Sequence, residues 1–227
     1  MDKVTVFLPC RKGSERVKNK NTRAFGDVEG GLIYIKLSQL LKVDAVEQIV
    51  VSTNDDEVKR IAGSFASSKI LIDHRADLLS SSATSTDDLI KYVPTLIKSA
   101  TVLWTHVTSP FVDEKIYQNA IESYFSNLKD HDSLMSVTKI QKFLWDEKGP
   151  INYDATVEKW PRTQTIKPLY EINSGIFIAD IDTFIEHNDR IGTCPLLYEL
   201  DEKCAFDIDW EVDFEIAEIL WAKHGKI

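Results

Sequence analysis

Three features of the sequence predict an α/β fold built on a mostly parallel sheet. Short β-branched runs alternate with stretches of helical period, each run ends in a polar loop, and no internal repeat breaks the alternation. Parallel strands joined through helices bury both sheet faces and gather ligands beyond the carboxyl ends of the strands, where the polar loops fall. With 227 residues, 43% of them hydrophobic, the chain can bury one substantial core, and a single domain over residues 1–227 is expected.

In order, "VTVFLP" is an apolar run broken by Pro9 and reads as a buried strand. A basic loop follows, then "GGLIYIKLSQLLKV", which puts Ile33, Leu37, Leu40 and Leu41 on one helical face. "EQIVVST" is a strand bounded by "NDD", where Asn54 or Asp55 can cap a helix carrying Val58, Ile61, Ala62 and Phe65. "KILI" is a short strand, and "STDDLIKYVPTLIKS" a helix with Leu89, Val93, Leu96 and Ile97 on one face and Pro94 weakening its middle. "ATVLWTHV" is the next strand, and "VDEKIYQNAIESYF" a helix whose acidic first turn suits the helix dipole. From residue 139 to 172 the helical period disappears among Gly149, Pro150, Pro161 and Pro168, which predicts a hairpin-rich excursion. "EINSGIFIAD" returns to a strand and "IDTFIEH" to a short helix. "CAFDIDWEVDFEIAEILWAKHG" reads as a strand and a last helix bearing Val212, Ile216, Ile219 and Leu220.

The net charge of -9 supplies no global cationic field for a nucleic acid or an anionic membrane surface. No apolar run approaches the about 20 residues that span a bilayer, so a cytoplasmic protein is expected. Cys10, Cys194 and Cys204 lack any CxxC spacing and read as reduced structural residues.

Against this acidic background, "PCRKGSERVKNKN" and the nearby Arg23 gather Arg11, Lys12, Arg16, Lys18 and Lys20 directly after the first strand. Gly13 permits close backbone approach, and Arg11, Arg16 and Lys20 can neutralise a phosphate. The loop has neither the GxxxxGK[ST] nor the GxGxxG pattern, and a solvated charged loop would have the same composition. In "DIDWEVD", Asp207 and Asp209 flank Ile208 and point to the same side of a strand, a pair suited to Mg²⁺ on a nucleotide triphosphate or, more simply, to a capped strand end. Thr108 and Ser109 of "THVTSPF" can line a substrate site or form an ordinary capped turn, and His106 has no obvious partner in the sequence. Arg162, Gln164, Lys167 and Asn173 of "RTQTIKPLYEINSG" can hold an acidic, hydroxyl-rich substrate or decorate a hairpin.

Taken in order, "LPCRKGSERVKNKN", "VVSTND", "HRADLLSSSATSTDDLI", "THVTSPF", "RTQTIKPLYEINSGIFI" and "FDIDWEVDFEIAE" resemble successive motifs of the acylneuraminate cytidylyltransferase family, over nearly the whole chain. The resemblance implies a Rossmann-like nucleotidyltransferase sandwich of three layers. It also implies transfer of CMP from CTP to a sialic-acid-like or Kdo-type sugar acid with release of pyrophosphate, dependence on Mg²⁺, and a homodimer formed through the 139–172 excursion. Carried onto this chain, it puts Arg11, Gly13, Ser14, Lys20, Asn21, Ser52 and Arg75 on the nucleotide and Asp207 and Asp209 on the metal. His106, Thr108, Ser109, Arg162, Gln164 and Asn173 fall on the sugar side, and Arg11, Lys20 and Asp209 take the catalytic positions. Departures from the family pattern occur at Cys10, Lys12, Glu15, Asn54, His106, Ser174, Gly175 and Trp210. The alternatives are a sugar nucleotidyltransferase for another nucleotide and a catalytically degenerate nucleotide-binding homologue.

Overall fold

The computed structural model describes residues 2–81, 83–98 and 101–224. Ser82, Ser99, Ala100 and Gly225, which fall within the stretches quoted above, lie outside the described residues. The first half alternates as expected: β1 (Val4–Pro9), α1 (Gly31–Leu41), β2 (Val46–Thr53), α2 (Asp56–Ser64), β3 (Ile70–His74), α3 (Thr86–Leu96), β4 (Thr101–Trp104) and α4 (Glu114–Ser126). The second half holds β5 (Ser133–Ile140), a two-residue ribbon of β6 (Trp145–Asp146) with β7 (Gly149–Pro150), β8 (Leu169–Asp180), α5 (Ile181–Glu186), β9 (Pro195–Glu199) and α6 (Glu211–His224).

Seven strands form one sheet in the order β3-β2-β1-β4-β8-β5-β9. β1 runs parallel to β2 and β4, and β8 is antiparallel to both β4 and β5. Val4, Val6 and Leu8 point into one core with α1, α2, α4 and α6, while Phe7 points into a second with α3 and α5. This alternation along a single strand produces the three layers. The chain leaves β1 toward β2 on one side and later returns to β4 on the other. The strand order therefore reverses between β1 and β4, where a crevice opens beyond their carboxyl ends.

Local chemistry sets the helix ends. Asp55 accepts from the Glu57 N–H, Ser85 and Asp88 form a reciprocal capping box, and Asp113 accepts from Lys115 and Ile116. Pro94 lies in the last turn of α3, which ends at Leu96, so the helix shortens rather than bends. α1 is buried nearly all round, including Lys36, whose ammonium donates to the carbonyls of Ser109 (2.8 Å) and Val112 (3.0 Å). It thereby fastens the loop after β4 to α1. Gly31 adopts φ +62°, and any Cβ there would strike the Thr22 and Arg23 backbone. Glycine thus lets the end of the basic loop lie on the start of α1, where the Ile33 N–H donates to the Asn21 carbonyl (2.9 Å).

Three expectations are corrected. Residues 204–210 form no strand: a turn and a segment without regular structure lead into α6, and the strand near this end is β9, "PLLYE", an edge strand that the sequence did not predict. On α6 the predicted stripe is rotated, with Phe214, Ala217 and Trp221 buried and Val212, Ile216 and Ile219 exposed. Both faces are apolar, and the larger aromatics win burial because Phe214 and Trp221 pack edge-on against Phe25. The 139–172 excursion is narrower than drawn, since β5 runs to Ile140 and β8 begins at Leu169. Its only pairing among the described residues is the β6–β7 ribbon.

Candidate active site

The crevice at the strand-order reversal is a cleft of about 370 Å³ lined from three directions. Pro9, Arg11, Ser14, Glu15, Arg16, Val17, Lys20 and Asn21 come from the loop after β1, Arg75 and Leu89 from the β3–α3 side, and His106, Val107 and Thr108 from the loop after β4.

The basic loop is built by its own backbone bonds and by anchors to distant segments. Gly13 (φ +80°) and Asn19 (φ +52°) take left-handed conformations, and the Thr22 and Arg23 N–H groups both donate to the Asn19 carbonyl. Asn21 Nδ2 donates to the Arg11 carbonyl (3.1 Å), so Asn21 shapes the loop from within. The Lys12 N–H donates to Asn54 Oδ1 (2.9 Å), and Asn54 Nδ2 donates to Asp77 (3.2 Å). An aspartate at position 54 could accept but not donate, which gives this departure from the family pattern a structural reason.

The cations divide their tasks. Arg16 pairs with Asp209 (2.7 Å) beneath the Trp210 ring (5.2 Å), and Arg23 pairs with Glu211 (2.7 Å) over the Phe214 ring (3.7 Å). Both arginines bind the loop to the acidic segment. Lys20 Nζ donates to the Ile208 carbonyl (2.7 Å) and stands 4.0 Å from Asp209, and burial pulls its pKa down while Asp209 and Asp207 pull it back. Arg75 is only 4% exposed, and among the described residues nothing accepts from its Nε or Nη2. Burial lowers its pKa, yet a guanidinium stays charged. Arg75 thus brings a charged guanidinium to the cleft wall with two of its nitrogens shut off from solvent and unsatisfied.

Asp207 does not itself line the cleft; it is half-buried, and its Oδ1 is shut off from solvent with no partner among the described residues. Burial raises its pKa and Asp209 adds to the rise, while the hydrogen bond from the Thr108 hydroxyl and the charge of Lys20 oppose it. Residues 207–209 are not a strand, yet Asp209 stands near enough to add to the Asp207 rise while its own carboxylate is paired with Arg16. Among the described residues no three His, Cys, Asp or Glu side chains assemble into a metal cage. An orphaned carboxylate oxygen beside a second carboxylate fits Mg²⁺ carried on a nucleotide, which takes one or two protein carboxylates and completes its shell with phosphates and water.

The remaining sequence candidates divide in the same way. Thr108 and His106 line the cleft. Ser109 is buried with an unpartnered hydroxyl and does not line it. Ser52 is fully buried and donates to Asp73 (2.6 Å), so it braces the sheet beneath the site. The Asn173 amide is engaged by Ser136, Gly175 and Thr138 within the β5–β8 pair, and Arg162 and Gln164 are exposed on the excursion and do not line the cleft of their own chain. Arg16, expected to neutralise a phosphate, is instead paired with Asp209, and Trp104 was absent from the expected site. Arg16 lies in the same charged loop, and Trp104 stands two positions before His106, so its indole N–H donates to His106 Nε2 (3.0 Å).

A family model described as cytidylyltransferase matches residues 5–215. The chain belongs to the cytidylyltransferase family. This cytidylyltransferase is 26% identical over 99% of its length to an N-acylneuraminate cytidylyltransferase of Escherichia coli, of which it spans 53%. It is 28% identical to a CMP-N,N'-diacetyllegionaminic acid synthase of Legionella pneumophila, with 96% of each chain covered. Its fold resembles that of a CMP:2-keto-3-deoxy-manno-octonic acid synthetase solved with CTP, at TM-score 0.70 and 14% identity over 98% of this chain and 99% of that one.

Proposed function

We propose that the chain is a sugar-acid cytidylyltransferase acting in the cytoplasm. It joins the anomeric hydroxyl of an α-keto sugar acid to the α-phosphorus of CTP and releases pyrophosphate. The observation that carries this reading is the convergence of Arg11, Ser14, Lys20 and Arg75 on one cleft at the strand-order reversal, a set of cations and donors suited to a nucleotide triphosphate. Membership of the family supports CTP as that nucleotide, and the activity in the Legionella relative's name supports a sugar acid as the acceptor.

In this reading Arg11, Lys20 and the loop around Gly13 and Ser14 hold the triphosphate, and the Arg75 guanidinium on the cleft wall lies by the nucleotide. Asp207 and Asp209 hold Mg²⁺, which when bound neutralises phosphate charge. Asp209 also orients the attacking hydroxyl. The O–P bond to the sugar forms as the P–O bond to pyrophosphate breaks, the hydroxyl proton passing to cleft water, without a covalent enzyme intermediate. The protein's contribution is alignment and charge stabilisation.

Pyrophosphate release measured with CTP, UTP, GTP and ATP against a panel of sugar acids tests the reading. CTP with an eight- or nine-carbon keto acid is expected to dominate, and preference for a purine nucleotide or turnover of none of the acids would sink it. The exposed Trp145, Ile151, Val157 and Trp160 on the excursion support a homodimer through that segment, which can carry Arg162 and Gln164 toward a partner. Light scattering is expected to give twice the mass of the chain, and a monomeric mass contradicts the dimer.

A further inference from the structure

We propose that Trp104 is a positioning residue that locks His106 into the Nδ1–H tautomer, making His106 a neutral one-way donor to an acceptor oxygen of the sugar acid. The sugar-acid half of this statement rests on the function proposed above. The tautomer half stands on geometry alone.

The indole Nε1–H is a donor with no acceptor capacity. It meets His106 Nε2 at 3.0 Å, so that nitrogen must present its lone pair. In a neutral imidazole the proton then resides on Nδ1. His106 lines the cleft, and among the described residues Nδ1 has no hydrogen-bond partner. It is also absent from the polar atoms sealed off without a partner, so its N–H is left available to a ligand.

The indole itself is held firmly. Trp104 is 1% exposed, its ring meets Phe7 edge-on at 4.7 Å, and the Arg190 guanidinium lies over both Trp104 (5.0 Å) and Phe177 (3.7 Å). β4 is antiparallel to β8 with Trp104 opposite Phe177, which sets the two aromatic faces side by side under the arginine. Protonating His106 would turn a second N–H toward the indole N–H. Burial, Arg190 and Lys20 act in the same direction and hold its pKa down at about 3. The imidazole is therefore uncharged at working pH, with one donor on the substrate side and its acceptor consumed. Such a group selects an oxygen lone pair and offers nothing to an ammonium group.

Long-range ¹H–¹⁵N correlation spectra of the intact protein, with His106→Asn as the assignment control, read the tautomer directly. Wild type is expected to show the proton on Nδ1 and no titration of His106 between pH 5 and 8. Trp104→Phe, which keeps an aromatic ring under Arg190, is expected to give mixed tautomers. A proton on Nε2 in wild type, or an unchanged tautomer in Trp104→Phe, overturns the lock whether or not any sugar acid is turned over.

The second readout is kinetic, with the acid that the panel turns over best. Trp104→Phe and His106→Ala are expected to raise KM for the acid about tenfold with KM for CTP unchanged. His106→Asn, which places an amide N–H near the Nδ1 position, is expected to retain near-native KM. A rise in KM for CTP instead, or His106→Asn no better than His106→Ala, overturns the substrate assignment.

Discussion

Lys20→Ala is expected to lower kcat/KM by about 10²–10³, the loss that follows removal of one fixed charge at a reacting centre. Lys20 lines the cleft, is more deeply buried than Arg16, and is hydrogen-bonded into the acidic segment through the Ile208 carbonyl at 2.7 Å. That bond fixes the ammonium in place before any substrate arrives, so charge neutralisation needs no reorganisation. Arg11 donates only to the Gly13 carbonyl inside its own loop (3.4 Å), a weaker anchor, and its replacement should cost less. Lys20→Arg is not expected to rescue, because a planar fork cannot occupy the place of a compact ammonium pointing at a carbonyl. Steady-state kinetics with varied CTP checks this, and unchanged affinity for CTP would count against the role of the loop.

Asp207→Asn is expected to raise the melting temperature at neutral pH while removing Mg²⁺-dependent turnover by about 10²-fold or more. Asp207 is a half-buried carboxylate whose Oδ1 is shut off from solvent with no partner among the described residues, so its ionised form is disfavoured in the fold. A raised folded pKa means that the native chain holds a proton that the unfolded chain has released. Stability therefore falls as pH climbs from the ordinary carboxylate range of about 3.9 toward the raised value, and stays reduced above it. An amide at this position carries no such cost, so the variant should gain at pH 7 and gain nothing under acid conditions where both states are protonated. Mg²⁺ with CTP should stabilise wild type more than the variant, since only a ligand that binds the native state shifts unfolding. Calorimetry at several pH values with and without Mg²⁺–CTP reads all of this. Equal melting temperatures, or turnover that keeps its Mg²⁺ dependence, would refute the assignment of Asp207.

The alternation of strands and helices was legible because each buried strand needs a continuous apolar run and each helix a periodic one. The first half of the chain follows that rule up to β4. The position of the cleft was legible too, since parallel topology sends polar loops to one end of the sheet. Legibility failed where two physical solutions share one pattern. α6 offers Val212–Ile216–Ile219 and Phe214–Ala217–Trp221 as rival apolar faces, and only the presence of Phe25 decides between them. β9 is five residues at the edge, too short for its period to stand out from its surroundings. At the site, residue types were readable and pairings were not. Arg16 and Asp209 meet across most of the chain, so neither sequence neighbourhood announces the contact. Trp104 and His106 are the exception, because alternation along a strand puts positions two apart on one side.

The contact between Lys20 and Ile208 spans 188 residues, and the pairs Arg16–Asp209 and Arg23–Glu211 close the same long loop. A chain emerging from the ribosome exposes its basic loop early and must wait for the segment at 207–211 before those cations have partners. Closing so long a loop carries an entropic cost that grows only slowly with its length, and the sheet between the two segments supplies the closure. A chain that stops before residue 207 lacks the carbonyl and both carboxylates that hold the basic loop, so Lys20, Arg16 and Arg23 lose their partners together.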